Sequence, residues 1–438
     1  MVQSRFDNRH EDFLTAAQAA AFLGVKPATL YTYVSRGRIQ AVPGLGRTRR
    51  YARSDLERLK AHSDARAGHA AVASGALKWG EPVIDTAISD VDPLKGPIYR
   101  GRLALALAES GIGFEATAEW LWSARPPTSP ARWDLAGDEV LAALTRSDPG
   151  EAGGDGLASS GLPGIMGDLP RGVPILSALM CLIPALAVRD HGRFGAPPEA
   201  ELARARRLIR AMACGLALGR EPARVAAAGA RGRVAEVVAE ALGRPGVEVA
   251  EGIERALVLC ADHELNVSSF AARVAASSGA DLYACVLAAL ATLSGSRHGG
   301  VCDRIEAMVR EVGDPDRAAA GVHDRLRRGS RVPGFGQPLY PQGDPRARPL
   351  LELARAAGGS RPSVRTLLAI VEAMQAAGHP PPAVDTGLVA LAEAFDLGPG
   401  AGAAIFAVGR AAGWIAHTFE QRQDADLLRP RARYVGAV

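Results

Sequence analysis

Apolar positions recur every three to four residues along most of the chain beyond Glu81, and that spacing predicts helices. The runs are Ile175–Val188, Leu202–Leu218, Arg233–Leu242, Glu251–Cys260, Leu282–Leu293, Val364–Ala377, Leu388–Phe395 and Ala401–Phe419, with Gly and Pro between them. Strands do not alternate with these helices, so a doubly wound nucleotide-binding sheet is not expected. The predicted fold class of the body is all-α.

The first sixty residues are punctuated differently. Thr15-Ala16-Ala17-Gln18 fits a capping box opening a short helix with Ala19, Phe22 and Leu23 behind it, and Gly24 ends it. Pro27 sits at a first-turn position of a second helix, about Pro27 to Ser35, with Leu30, Tyr33 and Val34 inward. Lys26, Thr29, Tyr31, Thr32, Ser35 and Arg36 are left outward, and Gly37 stops the helix. A hairpin over residues 38–51 follows, turning at Pro43-Gly44-Leu45-Gly46. Ser54 then caps a third helix with Leu56 and Leu59 facing in.

Composition adds a second contrast. The chain has 438 residues, 48% of them hydrophobic but only 5% aromatic, so Ala, Leu and Val must fill most of the core. Ala-rich helices pack closely, which again favours an all-helical body. Between residues 26 and 60 nine cations face only Asp55 and Glu57, while the remainder of the chain is slightly acidic. A basic module on an acidic body implies that the module, not the body, meets a polyanion. Most basic residues are Arg, so a lone Arg carries little meaning here. The small, polar stretch Ala61–Gly80 reads as a linker, and Asp148–Gly172 reads as a surface loop.

Helix, tight turn, helix, basic wing and helix form a DNA-binding plan, with the second helix in the major groove and wing arginines on phosphates. Over residues 12–60 the segment resembles the excisionase/MerR-type winged helix-turn-helix, on LTAAQAAAFLGVKPATLYTYVSRGRI, RRY and SDLERL. The candidate DNA contacts are Lys26, Thr29, Tyr31, Arg36, Arg47, Arg49 and Arg50.

Five cysteines are scattered without a C-x-x-C pair, which predicts reduced core thiols in a cytoplasmic protein and no metal site. The polar N-terminus does not read as a signal peptide, and no run of about 18 apolar residues predicts a membrane span. Neither a phosphate-binding G-x-x-x-x-G-K-[ST] loop nor H-E-x-x-H is present. No permanently bound cofactor is expected.

Polar clusters interrupt the apolar helices at Asp262–Asn266, Ser294–Gly300, Pro333–Tyr340 with Gly343–Arg346, at Asp385, and at Arg410 and His417. An uncompensated charge in such surroundings costs several kcal/mol, so each needs a partner or a ligand. Singly, His263 and His417 could be satisfied core histidines, Asp385 a helix N-cap, and Arg410 one half of an internal ion pair.

Together they resemble the citrate synthase family, over about residues 80–438. The motifs are GPIYRG (96–101), DHELNVSSF (262–270), HGG (298–300), PGFGQPLYPQGDPRA (333–347), VD (384–385), GRAAGWIAH (409–417) and RPRARYVG (429–436). The resemblance implies an all-α homodimer with a large and a small domain closing over the site. The expected organisation is a helix-turn-helix domain over 1–62, a linker over 63–80 and a catalytic domain over 81–438, its small subdomain roughly 262–375. His298 would hydrogen-bond the enol formed from acetyl-CoA, and Asp385 would remove the methyl proton. His263, Arg346, Arg410 and Arg429 would hold oxaloacetate, the last in the neighbouring subunit's site.

Gln337 departs from the family, which places His directly after G-[FY]-G to hydrogen-bond and protonate the oxaloacetate carbonyl. Gln337 donates a hydrogen bond but delivers no proton near neutral pH. Ser296-Arg297 stands where Pro-Leu is usual, and Val301-Cys302-Asp303 where Asn usually follows HGG.

The expected function is condensation of acetyl-CoA or propionyl-CoA with oxaloacetate, with rate or substrate altered by Gln337. The alternative is a DNA-binding regulator whose body senses a carboxylate or an acyl-CoA. A third reading gives the N-terminal module only oligomer or protein contacts.

Overall fold

A computed structural model describes residues 13–23, 25–35, 39, 41–43, 49–52, 56, 84–135, 138–145, 169–424, 426–430 and 436. The expected linker over 63–80, most of the loop 148–172, Leu59, Arg36, Arg47 and nearly all of the stretch after Arg429 lie outside these residues. The chain divides into two units, residues 1–85 with 430–438, and residues 86–429.

In the first unit β1 (Phe13–Thr15) precedes α1 (Ala16–Leu23), α2 (Pro27–Ser35), β2 (Ala41–Pro43) and β3 (Arg49–Ala52). The capping box is present: Thr15 N donates to Gln18 Oε1 at 3.0 Å, and Gln18 N to Thr15 Oγ1 at 3.4 Å. The hairpin pairs Val42 with Arg50, and a strand that periodicity did not predict, β1, covers the other edge of β3, setting Leu14 opposite Tyr51. Ala19, Ala20, Leu30, Ile39, Tyr51 and Leu56 make a separate small core. Tyr33 and Val34 pack against it only partly.

The second unit opens on a small antiparallel sheet of β4 (Ser89–Asp92), β5 (Gly96–Tyr99) and β6 (Arg102–Leu103). GPIYRG therefore starts as a strand in a body otherwise built of helices. These are α3 (Ala104–Glu109), α4 (Phe114–Ser123), α5 (Glu139–Thr145), α6 (Ile175–Ala187), α7 (Pro198–Gly215), α8 (Arg224–Gly229), α9 (Val234–Ala241), α10 (Val247–Cys260), α11 (Val267–Ser277) and α12 (Leu282–Leu293). Then come α13 (Gly300–Val312), α14 (Ala318–Arg327), α15 (Ala347–Gly358), α16 (Pro362–Ala376), α17 (Val384–Ala394) and α18 (Ala401–Gln421).

Local chemistry explains several starts. Asn266 caps α11 by accepting from the amides of Ser268 and Ser269, and Asp281 caps α12 by accepting from Ala284 N. Proline opens α7 and α16, where its missing N–H costs nothing.

The core axis is α18, a 21-residue helix of which nearly every side chain is buried. Small residues let its backbone approach α10 closely. A Cβ on Gly413 would lie 2.2 Å from Asp262 Oδ1 and 2.6 Å from Ala261 O. Only glycine fits there. A second apolar cluster gathers Ile305, Met308 and Val309 of α13 with Leu367, Ile370 and Met374 of α16. Burial of each such side chain stabilises by roughly 1.5–3 kcal/mol.

Candidate active site

Five elements of the second unit bring the polar clusters together. The first is the end of α10. The Tyr99 hydroxyl of β5 sits 3.1 Å from the carbonyl oxygens of Val258, Leu259 and Asp262 and anchors that end. Ser89 donates to Asp262 Oδ2 at 2.5 Å and accepts from Glu264 N, which steadies a turn holding Glu264 at φ 52°. Burial works against the Asp262 carboxylate, but His417, Arg410 and Ser89 outweigh it and its pKa falls below the ordinary value. Next in the chain, His263 is buried and its Nε2 lies 2.7 Å from the Tyr340 hydroxyl. Burial first, then Arg346 and Arg410, push the His263 pKa well down, so the ring is neutral near pH 7.

The second element is the turn before α15. Asp344 takes two hydrogen bonds from the Arg346 guanidinium, at 3.0 Å from Nε and 2.7 Å from Nη2. It also accepts from Val384 N at 3.3 Å, which ties Arg346 to the start of α17. Arg346 is 3% exposed, yet its Nη1 is buried with no acceptor among the described residues.

On α17, Asp385 lies in the first turn rather than at the N-cap, which is Ala383. The helix N-terminus favours the carboxylate, but burial dominates and raises the Asp385 pKa. Part of its surface stays accessible. Cys302 of α13 donates its thiol proton to Asp385 Oδ1 at 3.7 Å.

The third helix is α18. Arg410 donates Nε–H to Cys260 O at 2.8 Å and lies 4.6 Å from the Phe406 ring centre. Among the described residues it has no ion-pair partner, so the internal salt bridge considered from sequence is not formed. Phe406 also meets the His298 ring edge-on at 6.2 Å. Burial and then Arg410 lower the His298 pKa to about 4. His298 Nε2 lies 3.0 Å from Ser268 Oγ, which also accepts from Trp414 Nε1 and lies 2.6 Å from Asn266 Oδ1.

The structure thus gathers His263, His298, Arg346, Asp385 and Arg410. Gln337 is half-buried in the turn before α15; its carbonyl accepts from Tyr340 N, and no side-chain hydrogen bond occupies its amide among the described residues. Arg429 is exposed, and among the described residues no hydrogen bond or ion pair joins it to the cluster. Sequence reasoning did not single out Ser268, Tyr340, Asp344 or Cys302. Each stands inside or beside a quoted motif, but their partners come from other elements. His417 proves a buried residue behind the cluster, with Nδ1 accepting from Arg273 Nε at 3.0 Å.

In the first unit Lys26, Tyr31, Arg49 and Arg50 are exposed, whereas Thr29 is half-buried and not fully outward as expected. The helix axis explains this, since Thr29 precedes the buried Leu30 and flanks the inward face. Among the described residues no group of three or more His, Cys, Asp or Glu could hold a metal, and no helix is long and apolar enough to cross a membrane.

A profile of the citrate synthase C-terminal domain matches residues 76–431, and one of a helix-turn-helix domain matches residues 13–62. A citrate synthase of Haloferax volcanii is 41% identical over 196 residues, 44% of this chain and 52% of that protein. Citrate synthase 2 of Bacillus subtilis is 34% identical over 42% of this chain and 51% of that protein. The chain thus spans about half the length of these relatives. A citrate synthase of Deinococcus radiodurans is 32% identical over 63% of this chain and 76% of that protein. Among solved structures, citrate synthase of Thermotoga maritima superposes with TM-score 0.65 at 26% identity, covering 82% of this chain and 94% of that one. The ternary complex of Thermoplasma acidophilum citrate synthase with carboxymethyl coenzyme A and oxaloacetate gives 0.67 at 25% identity, covering 83% and 96%.

Proposed function

Because the chain belongs to the citrate synthase family, we propose that it condenses an acyl-CoA thioester, acetyl-CoA or propionyl-CoA, with oxaloacetate. The observation that carries this reading is Arg346, a buried guanidinium bonded to Asp344 with one nitrogen left without an acceptor. A substrate carboxylate supplies that acceptor. Arg410, held among the described residues through Nε alone, offers a second fork from α18.

The reaction then follows from the positions. Asp385, its pKa raised by burial, removes the thioester α-proton. His298 is neutral near pH 7, so it acts by donating a hydrogen bond to the enol oxygen. The Ser268 hydroxyl has one proton and two acceptors in reach, Asn266 Oδ1 and His298 Nε2. Turned toward His298, it leaves the imidazole proton on Nδ1 for the substrate. The enol carbon attacks the keto carbon of oxaloacetate held by Arg346, Arg410 and His263. Gln337 donates a hydrogen bond to the keto oxygen, and the alkoxide formed there takes its proton from water, because an amide cannot supply one. Hydrolysis of the thioester releases coenzyme A, which is substrate and product rather than a resident cofactor.

This reading includes a homodimer, as the family resemblance implies, in which the exposed Arg429 would serve the neighbouring subunit's site. It also includes a cytoplasmic setting, in keeping with five free thiols. The test is coenzyme A release from oxaloacetate with either thioester. Release that disappears in Asp385→Ala supports it. A protein that binds oxaloacetate without any release overturns it.

A second reading is favoured by the helix-turn-helix match and by exposed Lys26, Tyr31, Arg49 and Arg50. There the body reports a bound carboxylate or acyl-CoA to DNA held by residues 12–60. DNA affinity that changes when oxaloacetate or coenzyme A is added supports this reading, and affinity indifferent to both rejects it.

A further inference from the structure

Two helix starts face one another across the site. α13 begins two residues after His298, with Cys302 in its first turn, and α17 begins with Asp385 in its first turn. The thiol and the carboxylate meet there at 3.7 Å. It is the one side-chain hydrogen bond that Asp385 receives among the described residues. Neither Arg346 nor Arg410 forms an ion pair with it; Arg346 is committed to Asp344.

We propose that Cys302 is a positioning residue for Asp385: its S–H holds Oδ1, leaving Oδ2 free to take the substrate proton. The choice of donor has a chemical consequence. A thiol is a weak donor, so it fixes the carboxylate without stabilising its charge as strongly as a hydroxyl, amide or guanidinium would. Burial and Asp385 both hold the thiol protonated, so the donor is present across the neutral range. Cys302 is 1% exposed and buried among Ile305, Val309 and neighbouring apolar groups, so its geometry does not depend on solvent. Substitution of the thiol changes the basicity of Asp385 in a direction set by what replaces it.

The inference rests on the condensing activity proposed above, and its test is separable from that activity. Infrared titration of the full chain reads the carboxyl band of protonated Asp385, assigned by its loss in Asp385→Ala. In Cys302→Ala the donor is gone and the titration midpoint rises. In Cys302→Ser a stronger O–H donor replaces the thiol and the midpoint falls, each by about half a pH unit. The acid limb of the coenzyme A release profile moves in the same two directions, with KM for oxaloacetate unchanged. Midpoints that coincide in wild type and both variants, or that move the same way in both, overturn the proposal. If Cys302→Ala does not fold, the fall in Cys302→Ser decides it alone. A wild-type chain that releases no coenzyme A defeats the activity reading, and the infrared midpoints still decide whether Cys302 sets Asp385.

Discussion

Arg273 donates its Nε proton to His417 Nδ1 across 3.0 Å, inside the core. An arginine has no acceptor to offer, so the neutral imidazole carries its proton on Nε2, which faces Asp262 Oδ2 at 3.3 Å. The contact is close and polar without being an aligned hydrogen bond. Arg273 is secured in turn by Gln421 and Glu420 of the same helix as His417. The residue before His263 is therefore braced from behind.

His417→Ala removes that brace and leaves a fully buried carboxylate and a guanidinium facing a void. The expected loss is about 3–5 kcal/mol of folding stability by urea unfolding. A loss under 1 kcal/mol would show that water or a shifted Arg273 replaces the ring.

Gly413→Ala is expected to be at least as damaging in proportion to its size. The added methyl meets Asp262 Oδ1 and Ala261 O at separations no Cβ adopts. Overpacking of this kind costs about 1–3 kcal/mol, and because it pushes on Asp262 it should also raise KM for oxaloacetate. An unchanged KM would mean that α18 moves as a whole and carries the site with it.

Glu306 on α13 receives Gly400 N at 3.0 Å, and burial raises its pKa to about 7. A carboxyl whose pKa is higher folded than unfolded binds protons preferentially in the folded state. Its contribution is complete below the unfolded value of 4.5 and is lost as pH rises to about 7. Glu306→Gln keeps an acceptor for Gly400 and cannot ionise. It should leave Tm unchanged at pH 5 and raise it by roughly 2 °C at pH 8. Equal shifts at both pH values would remove ionisation as the cause.

Gln337→His would put a protonatable donor where the proposed reaction places the keto oxygen. If the amide limits turnover, kcat rises by about 10²-fold in the coenzyme A release assay. Unchanged turnover would mean that another group delivers the proton.

Joint replacement of Arg47, Arg49 and Arg50 by Gln tests the basic wing. DNA affinity should fall at low salt, and the slope of log affinity against log salt should flatten by about 3. Retained affinity would put the contact on another surface.

The long apolar runs were legible because a buried helix writes its period directly into the chain. Ile175–Val188 and Leu282–Leu293 agree with α6 and α12 to within a residue. β1 and β5 were not, since three or four residues give too little alternation, and the partner of β1 is thirty-odd residues away. At the site, His298, Asp385 and Arg410 stood out as polar residues in apolar or glycine-rich settings. Asp344 and Cys302 did not, because a salt-bridging acid and a buried thiol look ordinary until the structure shows Arg346 and Asp385 beside them. Thr29 was placed outward by a pattern that cannot resolve the edge of a helical face.

Phe406, Arg410, Trp414 and His417 occupy successive turns of α18, touching His298, Cys260, Ser268 and Arg273 in order. The end of α10, the helix α11 and the turn before α13 are thus all read off one rod. Insertion or loss of a single residue within it would rotate everything downstream by about 100°. All the later contacts would be cut at once rather than one at a time. A one-residue insertion is therefore expected to be tolerated in the joints between helices and not inside α18. Inside α18 only substitutions can be survived, and the register of the rod acts as a single indivisible character.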